Sequence, residues 1–155
     1  MEILYLDDDV NAVNAFFTFM NTFEKKYEIT AVSNLVDFDE ELYESGKSYD
    51  KYILDLGIVA PNEFSKEMYD NWLEDIGITE VTHLGAVISV PGWDYYEKVM
   101  RTRDLTKNRL DHVMLKTGYA ELLKKEVSEQ RYLPATLLNK GDEHYEEILK
   151  KFLIK

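Results

Sequence analysis

The chain has no cysteine, so disulfides, thiolate nucleophiles and thiolate metal sites are excluded. It has no apolar run long enough to span a bilayer. The start, Met1-Glu2-Ile3, lacks the basic segment and cleavage site of a secretory signal. These absences predict a cytoplasmic protein. Basic residues are in deficit: 18 Lys and Arg against 30 Asp and Glu give a net charge of −12. Such a polyanion is repelled by nucleic acid and anionic membranes. The basic groups, Lys124-Lys125, Lys150-Lys151 and Arg101-Arg103-Lys107-Arg109, are small and read as solvated helix faces. Neither nucleic acid nor membrane is expected as a partner.

What remains is an ordinary globular composition, 45% hydrophobic and 31% charged. At 155 residues the chain suits one domain, 1–155, with one sizeable core. Strand and helix signals alternate. Ile3 to Leu6 is a short apolar strand stopped by acids. From Asn11 to Phe23, Val13, Phe16, Phe17 and Met20 recur at helical spacing. Tyr27 to Val32 is β-rich. Ser33-Asn34 offers an N-cap for a helix to about Glu44, and Tyr49 to Leu56 reads as a buried strand. Later, Gly92-Trp93 opens a helix through Met100. His112 to Leu115 is a strand ending at Thr117-Gly118, followed by a helix from Tyr119 to Val127. Ala135 to Leu138 is the last strand, and a helix runs from His144 to Ile154. This alternation predicts a mainly parallel sheet with helices on both faces.

One stretch breaks the rhythm. About 58–90 is longer than a single connection needs. Asn62 to Asp75 reads as an amphipathic helix with Phe64, Met68 and Trp72 on one face, and Val81 to Val90 as β-prone. Two roles are open for this insertion: a lid or partner surface, or a peripheral extension of the core. Trp72 and Trp93 read as packing anchors. His83, His112 and His144 show no metal-ligand spacing.

The chemistry concentrates in carboxylates. Asp7-Asp8-Asp9 follows the first apolar run, and Asp55 ends the run Tyr52-Ile53-Leu54. Carboxylates gathered at the ends of buried strands repel one another unless they hold a cation or perform chemistry. Asp9 reads as the N-cap of the first helix. In a doubly wound sheet, ligands bind beyond the carboxyl ends of the strands. Asp7, Asp8, Asp55, Thr117 and Lys140 all fall on that edge.

This arrangement resembles the receiver domain of two-component response regulators. The resemblance rests on Ile-Leu-Tyr-Leu-Asp-Asp-Asp, Tyr-Ile-Leu-Asp-Leu-Gly, Met-Leu-Lys-Thr-Gly-Tyr-Ala and Leu-Leu-Asn-Lys, and spans the chain outside the insertion. It implies a flavodoxin-like α/β fold, a five-stranded parallel sheet ordered 2-1-3-4-5 with an insertion at about 58–90. It implies a phosphoacceptor signalling domain rather than a metabolic enzyme, with slow self-dephosphorylation. Asp55 would accept a phosphoryl group from a phosphohistidine. Asp7, Asp8, Asp55 and the backbone carbonyl of Gly57 would hold Mg2+. Lys140 would pair with Asp55 and then with the phosphoryl oxygens, and Thr117 would donate to them. The implied partners are a histidine kinase or phosphotransfer protein and a downstream protein target, with the output surface at about 114–138. A monomer or weak homodimer, standing alone without an output domain, is expected.

Two residues depart from the family. Leu137 stands where receivers carry an aromatic switch, three residues before the lysine. Gly141 stands where proline usually follows it. Other readings stay open. Asp7-Asp8-Asp9-Val10 also resembles the first motif of haloacid dehalogenase-like phosphohydrolases, with Asp7 as nucleophile, Asp9 as general acid, and Thr117-Gly118 and Lys140 as later motifs. That reading lacks a fourth acidic motif and leaves Asp55 without a role. A third reading is a binding module that keeps the fold without being phosphorylated.

Overall fold

The computed structural model describes residues 1–85, 87–102, 110–127 and 136–154. Ala135 of the expected last strand, Arg103, Lys107 and Arg109 of the basic group, and 128–135 of the expected output surface lie outside the described residues.

β1 (Glu2–Leu6), β2 (Glu28–Val32) and β3 (Lys51–Asp55) form half of a parallel sheet, with β1 between the other two. The helices α1 (Val10–Met20) and α2 (Leu35–Tyr43) make the crossovers. After β3 come α3 (Lys66–Asp75), a small antiparallel hairpin of β4 (His83–Leu84) and β5 (Ile88–Ser89), and α4 (Pro91–Tyr95). A π-helical turn, Tyr96–Met100, continues α4. β6 (Val113–Thr117), α5 (Ala120–Val127), β7 (Thr136–Asn139) and α6 (Tyr145–Ile154) complete the chain. The sheet order is β2-β1-β3-β6-β7. Counting only main-sheet strands, this is the expected order 2-1-3-4-5. The fold is flavodoxin-like, with helices on both faces.

The central strands are largely apolar because both faces are covered. Alternate side chains point to opposite faces. Leu4, Leu6, Tyr52, Leu54, Val113 and Leu115 pack with Leu35, Phe38 and Leu42 of α2 and with Trp93, Tyr96 and Val99. Ile3, Tyr5, Ile53 and Met114 pack on the other face with Phe16 and Met20 of α1 and Leu149, Phe152 and Leu153 of α6. Capping sets the helix starts. Asp9 accepts from Asn11 N and Ala12 N, Asn34 from Asp37 N, and Ser65 from Met68 N.

Three details differ from the periodicity. Phe17 is 37% exposed, because Phe16 and Met20, with Val13 and Phe19 beside them, form the inner face of α1. The helix expected from Asn62 begins at Lys66, where the Ser65 side chain caps it. Its inner face is turned one position: Tyr69 and Leu73 are buried, whereas Met68 is 53% exposed. Trp72 stacks on Tyr69 at 5.9 Å between ring centroids, and Trp93 is fully buried, both as packing anchors. Gly77, at φ 101, ends α3 with a reversed turn in which Gly77 N donates to Glu74 O and Ile78 N to Leu73 O. The insertion extends the larger core through Ile78, Leu84 and Val90.

Among the described residues, no helix is long and apolar enough to cross a membrane.

Candidate functional site

Strand ends bring the acidic residues together. Asp7 follows β1, and Asp55 ends β3 in register with Lys116 of β6. Thr117 ends β6 in register with Asn139, and Lys140 follows β7. One carboxylate oxygen each from Asp7, Asp8 and Asp55 lie within 4.8 Å of one another. Beside them opens a cleft of about 290 Å³ lined by Asp8, Asp55, Gly57, Thr117 and Lys140. Ile88 and Val90 of the insertion form its other wall.

Lys140 Nζ contacts Asp55 Oδ2 at 2.8 Å. Burial pushes the Asp55 carboxyl above the usual carboxylate range, against the opposing pull of Lys140. Burial alone would lower the Lys140 ammonium, but its hydrogen bond and charge pairing with Asp55 carry it upward instead. Asp7 is also buried, which raises its carboxyl. The hydrogen bonds from Asp9 N and the Tyr5 hydroxyl, with the nearby lysines 116 and 140, outweigh burial and hold it low. Gly57 N donates to Asp55 Oδ1 at 3.4 Å, and Val59 N to Asp8 Oδ2 at 3.3 Å. Thr117 Oγ1 accepts from Tyr119 N at 3.1 Å, which leaves its own hydrogen available to a ligand in the cleft.

The donor set fits a hard divalent cation: three carboxylates in mutual reach beside a cleft roomy enough to leave water on the ion. Asp9 also lines the cleft, but its carboxylate serves the first helix. Its Oδ1 caps α1, at 2.9 Å from Asn11 N. Leu137, in place of an aromatic residue, is half-buried against the larger core, and Gly141 N donates to Asn139 Oδ1 at 3.1 Å.

Sequence reasoning missed four participants. Lys116 Nζ is buried, 2.7 Å from the Tyr5 hydroxyl and 3.3 Å from Asp7 Oδ2. The signal was a charged residue inside an apolar strand, two positions after Met114 and so on the same buried face. Tyr5, two before Asp7, shares that face. Gly92 lies against the β3 end: a Cβ there would stand 2.6 Å from Asp55 O and 2.8 Å from Leu56 Cα. Its amide donates to Leu56 O at 3.0 Å. Nothing in the sequence marks Ile88 as a cleft residue.

No protein-family model matches the sequence, and no curated protein matches it significantly. Solved structures do share its fold. A sensor protein from Polaromonas sp. JS666 superposes with a TM-score of 0.58 at 14% identity, covering 99% of this chain and 92% of that one. The bacteriophytochrome response regulator AtBRR superposes with a TM-score of 0.58 at 12% identity, covering 99% and 93%. The fold of this chain is thus one that it shares with a solved response regulator.

Proposed function

We propose that this chain is a receiver-type phosphoacceptor domain that signals in the cytoplasm and accepts its phosphoryl group on Asp55. The observation that carries the reading is Asp55 itself: a buried carboxylate held at 2.8 Å by Lys140, in mutual reach of Asp7 and Asp8, at the mouth of a cleft. The shared fold supports it.

Asp7, Asp8, Asp55 and the Gly57 carbonyl would hold Mg2+, which would offset the anionic cluster and bind a phosphoryl oxygen. The remaining work falls to the chain. An Asp55 oxygen forms the new O–P bond as the P–N bond of a phosphohistidine donor breaks, and the bonding pair leaves on the imidazole. Lys140 passes from the Asp55 carboxylate to the phosphoryl oxygens as a charged donor. Thr117 donates its free hydrogen to the same group. A water reaching Asp55 later hydrolyses the acyl phosphate slowly, as a timer. The donor would be a histidine kinase or phosphotransfer protein. The readout would be a changed surface around β6, α5 and β7 for a downstream protein, on a monomer or weak homodimer. Leu137 and Gly141 make that readout differ from an aromatic switch.

Ile88 and Val90 support a role for the insertion as a wall that limits access to Asp55. The phosphohydrolase reading is less well supported, because the Asp9 carboxylate is engaged at the start of α1. Incubation with acetyl phosphate and Mg2+, read by intact mass, tests the proposal. Wild type should gain one phosphoryl group and Asp55→Asn none. Labelling that survives Asp55→Asn but is lost in Asp9→Asn, with turnover of a phosphate monoester, would sink it.

A further inference from the structure

We propose that Lys116 is a built-in counter-ion of the acidic cluster, supplying at Asp7 part of the charge compensation that a divalent cation otherwise provides and so weakening the cluster's hold on that cation. The inference rests on the phosphoacceptor reading and deepens it.

Strand alternation puts Lys116 on the buried face, two residues beyond Met114, with its side chain 3% exposed. Burying an ammonium is costly unless it is paired. Here three atoms close a triangle. Lys116 Nζ donates to the Tyr5 hydroxyl at 2.7 Å and to Asp7 Oδ2 at 3.3 Å. The Tyr5 hydroxyl donates in turn to Asp7 Oδ2 at 2.8 Å. The rings of Tyr5 and Tyr145 flank the ammonium, with centroids 4.8 Å and 5.7 Å away. The other Asp7 oxygen accepts from Asp9 N at 3.0 Å.

Both oxygens of Asp7 therefore already serve donors of the protein. Asp8 and Asp55 line the cleft, whereas Asp7 stands behind them. Lys140 offsets Asp55 and Lys116 offsets Asp7, so three carboxylates against two ammonium groups leave one net negative charge. A cation entering this cluster gains less than it would from three free carboxylates, and also meets a fixed positive charge held 3.3 Å from Asp7 Oδ2. An anionic phosphoryl group, for the same reason, meets less repulsion in the absence of the cation. Lys116 touches neither the donor nor the acceptor oxygen, so it is a positioning and charge-setting residue.

Mg2+ titration by calorimetry separates this role from simple cementing of β1 to β6. Lys116→Met keeps the length and removes the charge, and should bind Mg2+ about ten-fold more tightly than wild type. Tyr5→Phe keeps the ammonium and should stay within about two-fold. In EDTA, wild type should bind beryllofluoride saturably by fluorine NMR; this measurement needs no variant, so it decides even if Lys116→Met fails to fold. Unchanged or weaker Mg2+ affinity in a folded Lys116→Met overturns the proposal, as does absence of beryllofluoride binding by wild type without Mg2+. If wild type is nonetheless labelled on Asp55, only the role of Lys116 falls. If wild type neither labels nor binds Mg2+, the phosphoacceptor reading falls with it.

Discussion

Lys140 Nζ and Asp55 Oδ2 meet at 2.8 Å although 85 residues separate them in sequence. The pair joins the end of β3 to the loop after β7, across β6. Folding nevertheless disfavours the ionised Asp55, because burial raises its carboxyl. An acid raised in this way contributes stability while protonated and loses it as pH rises through its folded value. Asp55→Asn removes the buried charge and keeps the shape, and Lys140, 39% exposed, can turn to solvent, so the unfolding midpoint at pH 7 should rise. Guanidinium melts will show it; a lowered midpoint would mean that the ion pair outweighs burial.

Gly92→Ala should disturb the site from outside it. The added methyl would press on the Asp55 carbonyl and the Leu56 Cα, both backbone atoms that cannot rotate away. A cost of about 1–3 kcal/mol is expected, as for overpacking in a core. Labelling by acetyl phosphate should slow in the folded fraction. A variant with wild-type melting and labelling would show that this contact is slack.

Ile88 is half-buried on the cleft wall. Ile88→Ala should cost less than the about 2–5 kcal/mol of a fully buried Ile→Ala. As part of an access wall, it should speed phosphorylation by a phosphohistidine protein about five-fold, or about 1 kcal/mol of barrier. The rate with acetyl phosphate should stay nearly constant. Equal rates with the protein donor would rule out a lid.

Asp94, 0% exposed, ties the hairpin to α4. Its Oδ2 accepts from Thr82 N at 2.7 Å and its Oδ1 from Thr82 Oγ1 at 2.6 Å. Burial raises its carboxyl despite those bonds. Its favourable contribution is therefore present below the unfolded value and fades as pH rises through the folded one. Asp94→Asn does not titrate, so wild type should gain stability relative to this variant between pH 7 and pH 4. Parallel denaturant melts at the two pH values check the sign. Asp94→Ala, which orphans the Thr82 donors, should cost about 1–3 kcal/mol at either pH.

The order of elements was legible because each strand is a short apolar run and the helix starts at Asp9 and Asn34 carry their own capping side chains. The acidic edge was legible too, since in a parallel α/β sheet the residue after each strand falls on one rim. The inner face of α3 was misjudged by one position. A start at Lys66, four residues later than expected, and packing by Tyr69 rather than Met68, set its rotation. Lys116 stood in plain sight but had no visible partner, because Tyr5 and Asp7 lie 111 and 109 residues away.

By itself, the sequence determined the local facts: which runs form strands, where α1 and α2 begin, and which strand ends carry Asp7, Asp8, Asp55, Thr117 and Lys140. Those follow from hydrophobic period and capping, which act within a few residues. Tertiary structure alone decided that Lys116 closes on Asp7, that Gly92 rests on the backbone of Asp55, and that Ile88 walls the cleft. These contacts depend on strand register and on how the insertion packs, and both are settled only when distant segments bury their apolar faces together.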